Sequence, residues 1–182
     1  MSRKQKNKIL LGVTGCIAVY KVVSLVRKLV KNNFEVKVIM TDAAKEFVTP
    51  LTFKTISQNM VYSDLFLPED EWSPMHVSLA DWADIMVIAP ASANTIAKIA
   101  YGLSDNLLSS TVLTFTGNIL VVPSMNHNMY LNEIFQDNLD KLRKIKRFTI
   151  MEPEEGLLAC GTSGKGRLPE PDAIYEEILK LV

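Results

Sequence analysis

A short apolar run that ends in glycine and feeds a helical pattern constrains this chain most. Residues 8–14 read KILLGVT, and Gly15 follows. A run so short, apolar and bounded by glycine is expected as a buried parallel strand. From Ile17 to Lys31 apolar residues fall at Ile17, Ala18, Val22, Leu25, Val26, Leu29 and Val30, with Lys21, Arg27, Lys28 and Lys31 elsewhere on the wheel. That is the spacing of a helix with one apolar face. Asn32-Asn33 ends it, and Glu35 to Met40 (EVKVIM) is expected as a second strand. The three segments form a βαβ unit, whose crossover is expected to be right-handed.

The same alternation continues down the chain. Thr41-Asp42 is expected to cap a short helix through Phe47, and Pro50 to open another to about Gln58. Pro68 to Pro74 is acidic and bounded by proline, which predicts a loop, and His76 to Ala83 a helical turn. Asp84 to Ala89 (DIMVIA) is a central strand that Pro90 should stop, and Ser92 to Tyr101 a helix. Further helices are expected over Asp105 to Leu113, Leu131 to Lys144 and Ala173 to Val182. Further strands are expected at Asn118 to Val122, ended by Pro123, and at Arg147 to Met151. Glu152 to Pro171, rich in glycine and proline, reads as one long loop. Strands alternating with helices predict an open, mostly parallel α/β sheet with helices on both faces, and ligands beyond the carboxyl ends of its strands.

Composition narrows the function classes. The length of 182 residues suits one ordinary domain, and 48% hydrophobic with 22% charged residues suits a soluble globular one. Lys plus Arg and Asp plus Glu each count 20, so no net field draws the chain to nucleic acid or an anionic membrane. No apolar run is long enough for a membrane span, and the polar, basic Met1 to Lys8 does not resemble a signal peptide. Two cysteines, Cys16 and Cys160, are too few for a disulfide framework, which suggests a reducing cytosolic setting. With only two scattered histidines they also make no zinc-ligand cluster.

The loops after the strands hold the candidate chemistry. Gly15, Cys16 and Ile17 join a strand to a helix start. They offer backbone N–H groups to a phosphate, or form a plain βα turn. Only G-x-x-G is present (Gly12 to Gly15), without the dinucleotide fingerprint, so a mononucleotide phosphate fits better. Pro90 to Thr95 (PASANT) brings small and hydroxyl residues to a helix start, where Ser92 can act as an N-cap and the capped end as an anion site. Pro123 to Tyr130 (PSMNHNMY) offers Asn126, whose amide both donates and accepts, for a carboxylate or polar head; a turn with methionine packing is the plainer alternative. His76 is a candidate base, against the commoner structural or exposed role. Cys160, in a glycine-rich loop near Lys165 and Arg167, is a candidate thiol acid or nucleophile.

Five segments together are similar to a known family. GVTGCIAVYK (12–21), HVSL (76–79), PASANT (90–95), PSMNHNMY (123–130) and ACGTSGKGRLPEP (159–171) resemble the homo-oligomeric flavin-containing cysteine decarboxylases. The resemblance covers essentially the whole chain after the first seven residues. It implies a Rossmann-like, flavodoxin-like fold in a single domain over 1–182, FMN as cofactor, and a cytoplasmic homotrimer or homododecamer. It implies FMN contacts at Gly15, Cys16, Ile17, Thr41, Ala43, Ser92, Ala93, Asn94, Thr95 and Ser124. His76 is implied as catalytic base, Asn126 as the group that binds the substrate carboxylate, and Cys160 as proton donor on a flap. Substrate contacts are implied at Asn126, Met129, Leu158, Ala159 and Lys165. The implied route oxidises the thiol-bearing carbon to a thioaldehyde, which lets CO₂ leave as a delocalised ene-thiolate forms; protonation and re-reduction follow.

The ACG element at 159–161 points to the branch that completes re-reduction and acts on the small molecule phosphopantothenoylcysteine, making 4′-phosphopantetheine for coenzyme A. Peptidyl-cysteine decarboxylases of ribosomal peptide maturation, which stop at the ene-thiol, are the alternative. A flavin prenyltransferase would need a different allyl-phosphate site. A flavin-binding regulatory subunit would be expected to carry a long acidic tail. Three departures stand out: Cys16 where serine is usual, Ser124 where alanine is common, and Tyr130 where some members have tryptophan. The synthetase domain fused to some bacterial members is not in this sequence, so decarboxylation alone is expected.

Overall fold

The computed structural model describes residues 7–66, 74–157, 159 and 161–182. Most of the expected 68–74 loop and the candidate residues Leu158 and Cys160 lie outside the described residues.

Strands β1 (Lys8–Val13), β2 (Glu35–Met40), β3 (Val61–Tyr62), β4 (Ile85–Ala91), β5 (Asn118–Pro123) and β6 (Phe148–Ile150) form one sheet in the order β3-β2-β1-β4-β5-β6. Every neighbouring pair is parallel. Side chains alternate across the strands and fill two cores. Ile9, Leu11, Val38, Val87 and Leu120 pack on one face against α1 (Val19–Lys31), α3 (Pro50–Ser57) and α9 (Pro171–Leu181). Leu10, Ile39, Met86, Ile88 and Val121 pack on the other, against α4 (Met75–Trp82), α5 (Ala93–Ala100), α6 (Leu107–Thr114) and α8 (Glu133–Arg143). Short helices α2 (Asp42–Lys45) and α7 (His127–Leu131) follow β2 and β5. The three-layer architecture is the expected one. Strand order reverses between β1 and β4, and a parallel sheet opens its crevice at such a point, beyond the carboxyl ends. Among the described residues, no helix is long and apolar enough to cross a membrane.

Four local expectations are corrected. Pro90 does not stop β4, which runs to Ala91. Proline has no N–H to give the ladder, so the pairing with β5 shifts register after Ile88 and resumes at Ala91 opposite Pro123. The helix expected over 131–144 is α8 and starts at Glu133, because Leu131 ends a separate short helix, α7, that the sequence did not suggest. Asn132 ends α7 and caps α8, its Oδ1 accepting the Ile134 N–H at 3.0 Å. The first helix starts at Val19 rather than Ile17, leaving Cys16 to Ala18 as a turn. The expected loop at 152–171 contains an antiparallel pair, β7 (Glu154–Leu157) and β8 (Ser163–Arg167). Its segments EEGL and SGKGR lack the apolar alternation that marks a strand in sequence.

Candidate functional site

Two concavities open at the carboxyl edge of the sheet. The first, about 500 Å³, is lined by Gly15 after β1, by Met40 to Ala43 after β2, by Ser92 to Thr95 after β4, and by Met129. The second, about 410 Å³, is lined by Cys16 to Ala18, Tyr20 and Lys21, by Ser124 to Asn126, and by Leu157, Ala159 and Gly166 to Leu168. Consecutive residues, Gly15 and Cys16, line one each.

The larger cavity is built on close backbone packing. A Cβ on Gly15 would lie 2.5 Å from the Ala43 Cβ, so only glycine lets the turn after β1 meet the turn after β2. Thr14 ties β1 to β4: its hydroxyl donates to the Pro90 carbonyl at 2.7 Å and accepts the Ser92 N–H at 2.8 Å. This buried clasp sets the entry to α5. Ser92 then caps α5, its Oγ accepting the Thr95 N–H at 3.3 Å. The remaining N–H groups of the first turn, and the positive end of the helix, suit an anion. Thr41, in the same wall, keeps a buried hydroxyl with no partner among the described residues. An orphaned hydroxyl beside a helix N-terminus, with Met40, Leu108 and Met129 as apolar wall, is a donor set that fits a phosphorylated flat cofactor.

The smaller cavity lies under the hairpin. The Cys16 thiol is 3.5 Å from the Ser124 Oγ, which in turn donates to the Gly166 carbonyl at 3.3 Å. The Met125 N–H donates to the same carbonyl at 3.0 Å. Asn126, the N-cap of α7, accepts the Asn128 N–H at 2.9 Å, which orients its carboxamide at the cavity wall. At the rim, Glu170 pairs with Lys21 at 2.8 Å and with Arg167.

Beside this cavity a carboxylate gathers three donors. Glu152 accepts from Tyr130 Oη at 2.6 Å, Lys165 Nζ at 2.7 Å and Arg143 Nη2 at 2.6 Å. Partial burial pushes its carboxyl up, but the hydrogen bonds from Lys165 and Tyr130 and the adjacent positive charges outweigh that and hold it down to about 2. The same hydrogen bond raises the Lys165 ammonium. Burial, then the bond to Glu152, raises the Tyr130 phenol.

The candidates therefore separate. Gly15, Thr41, Ala43, Ser92, Ala93, Asn94, Thr95 and Met129 share the larger cavity, and Cys16, Ile17, Ser124, Asn126 and Ala159 the smaller. Lys165 lines neither; its ammonium is engaged with Glu152. His76 sits half-buried in the first turn of α4 and lines neither cavity. The Thr14 clasp and the Tyr130–Glu152–Lys165 cluster have no counterpart in the sequence expectations, because each joins residues far apart in the chain.

Comparison with known proteins adds independent findings. A family model described as Flavoprotein matches residues 1–182. The coenzyme A biosynthesis bifunctional protein CoaBC of Bacillus subtilis is 45% identical over 170 residues, covering 93% of this chain and 42% of that protein. The chain thus spans about two fifths of the length of the bifunctional relatives it matches. A probable phosphopantothenoylcysteine decarboxylase of Streptococcus mutans is 41% identical over 174 residues, with 94% and 97% of the two chains covered. A solved structure of a PPC decarboxylase mutant complexed with pantothenoylaminoethenethiol superposes with a TM-score of 0.88 at 31% identity, covering 97% of this chain and 98% of that one.

Proposed function

Because the chain belongs to the flavoprotein family, we propose that it is an FMN-dependent decarboxylase that converts 4′-phosphopantothenoylcysteine to 4′-phosphopantetheine in coenzyme A biosynthesis. The observation that carries this reading is the pair of adjoining cavities at the sheet's switch point. One is furnished for a phosphorylated cofactor, and the other presents Asn126 beneath a glycine-rich hairpin. The full-length similarity to the Streptococcus mutans protein supports the small-molecule substrate. A single decarboxylase domain over 1–182 and a cytoplasmic location belong to the same reading.

Thr41, Ser92, Asn94, Thr95 and the N–H groups at Gly15 to Ile17 would hold the FMN phosphate and ribityl chain. Bound FMN supplies a reversible two-electron oxidation of the thiol-bearing carbon, without which loss of CO₂ would leave an unstabilised carbanion. Asn126 binds the substrate carboxylate through its amide donor and keeps it oriented for departure. Substrate contacts are assigned to Ala159 and Leu158, and to Met129 from the wall of the larger cavity. Cys160 donates the proton that the ene-thiolate carbon needs before re-reduction. We assign the substrate proton to His76 as base. Since this residue lines neither cavity of its own chain, a second copy would present it, in keeping with the homotrimer or dodecamer that the resemblance implies.

Mass spectrometry of the product tests the proposal. The purified protein, reconstituted with FMN, is expected to be yellow and to turn phosphopantothenoylcysteine into 4′-phosphopantetheine with release of CO₂. An unsaturated thiol from the unmutated protein, or turnover only of peptides ending in cysteine, would move the assignment to peptide maturation. Cys160→Ser is expected to stop at the unsaturated thiol; a fully reduced product from this variant would remove Cys160 from its role.

A further inference from the structure

The base of the hairpin is fastened to the loop that carries Asn126, and one imidazole makes the fastening. The His127 Nδ1 accepts the Lys165 backbone N–H at 3.0 Å, and the Lys165 carbonyl lies 3.2 Å from the same nitrogen. Acceptance requires a neutral ring with its proton on Nε2. Glycines on either side of Lys165 make the approach possible. A Cβ on Gly164 would lie 2.6 Å from the His127 ring, and one on Gly166 would lie 2.3 Å from the Met125 carbonyl oxygen. Strand β8 therefore lies flush on residues 124–127, with the Met125 N–H closing the contact on the Gly166 carbonyl. A second link runs parallel to the first, from Tyr130 on α7 through Glu152 to the Lys165 side chain. Lys165 is thus held by its backbone, at His127, and by its ammonium, at Glu152, which Tyr130 in turn holds.

We infer that His127 is a positioning residue, which by accepting the Lys165 N–H sets the distance between β8 and Asn126 and so the width of the smaller cavity. This inference rests on the proposed reaction for its kinetic part and on geometry alone for the rest. Asn126 lies next to His127 in the chain, and Gly166 and Arg167, which follow Lys165, line the same cavity. Release of the imidazole contact lets the two walls part, while the FMN cavity, which shares neither His127 nor Lys165, stays closed.

Three variants of the FMN-loaded protein test this. His127→Leu keeps bulk and removes the acceptor. His127→Asn puts Oδ1 near the place of Nδ1 and retains it. Gly164→Ala pushes on the imidazole from the strand side, and carries the test by itself should His127→Leu fail to fold. His127→Leu and Gly164→Ala are expected to speed amide exchange at Lys165 by about tenfold. They are expected to raise KM for phosphopantothenoylcysteine about tenfold while kcat changes less than about twofold, with flavin absorbance retained. His127→Asn is expected to restore both values. Unchanged exchange in both His127→Leu and Gly164→Ala, or an Asn variant as impaired as the Leu one, overturns the inference. If the unmutated holoprotein releases no CO₂ from that substrate, the functional reading fails instead, and exchange alone then decides the role of His127.

Discussion

The turns after β1, β2 and β4 and the hairpin β7–β8 both bear on the carboxyl edge of the sheet, yet they are held by different forces. The turns grow out of strands that are buried where they end, and they meet by backbone approach: Gly15 on Ala43, and Thr14 across to Pro90 and Ser92. The hairpin has almost no apolar anchor. Its Leu157 is 69% exposed, and it is fastened by polar contacts to Glu152, to His127 and, through its own Gly166 carbonyl, to the Met125 N–H. Buried contacts in a low-dielectric interior are costly to break, whereas half-exposed ion pairs are screened and weak. A cofactor that stays and a substrate that comes and goes call for this division, with the cradle at the stable end of the molecule and the cover at the labile end.

Removal of the buried clasp is the largest blow available to the cradle. Thr14→Val keeps the shape and strands both the Pro90 carbonyl and the Ser92 N–H. It is expected to cost about 2 to 4 kcal/mol of stability, read as a lower midpoint in denaturant, and to empty the protein of flavin. A loss under about 1 kcal/mol would mean that water replaces the hydroxyl and that the cradle is softer than its burial suggests.

Next in size is a pair of glycine substitutions. Gly15→Ala drives a methyl into Ala43 and is expected to cost about 1 to 3 kcal/mol with loss of bound FMN. Gly161→Ala meets nothing within 4 Å among the described residues but sits at φ +83°, so it is expected to cost about 1 kcal/mol and leave the flavin content unchanged. Equal flavin loss in both, measured by absorbance after purification, would erase the distinction between cradle and cover.

The same two regions differ in how far the sequence reveals them. The cradle side is legible because each of its turns follows an apolar run, and a parallel sheet directs such turns to one edge. Small and hydroxyl residues in PASANT then mark where a backbone must come close to a ligand. What escapes there is Thr14, since its two partners lie 76 and 78 residues away. Pro90 misleads because its missing N–H reads as a stop, although a register shift against β5 absorbs it. The hairpin is legible as a glycine-rich motif but not as strands: EEGL and SGKGR offer no alternation, and the groups that shape it, His127 and Glu152, lie outside it. The position of His76 on α4, away from both cavities, is likewise beyond a motif, because a motif names a residue type and not the neighbour it faces.

The smallest expected effect is a pH signature confined to the cover. The Glu152 carboxyl is held at about 2 in the folded chain, against 4.5 as its ordinary value. A group depressed on folding stabilises the fold fully above its unfolded value and loses that contribution as pH falls toward the folded one. The stabilisation is therefore complete above about pH 5 and fades between 4.5 and 2. Because half of the side chain meets solvent, screening leaves about 1 kcal/mol. Glu152→Gln is expected to lower Tm slightly at pH 7, to approach the unmutated protein near pH 2, and to narrow the pH 7 gap in high salt. A gap that persists unchanged into acid would assign the Glu152 contribution to packing instead of charge, and the hairpin would then be anchored by the same kind of force as the cradle.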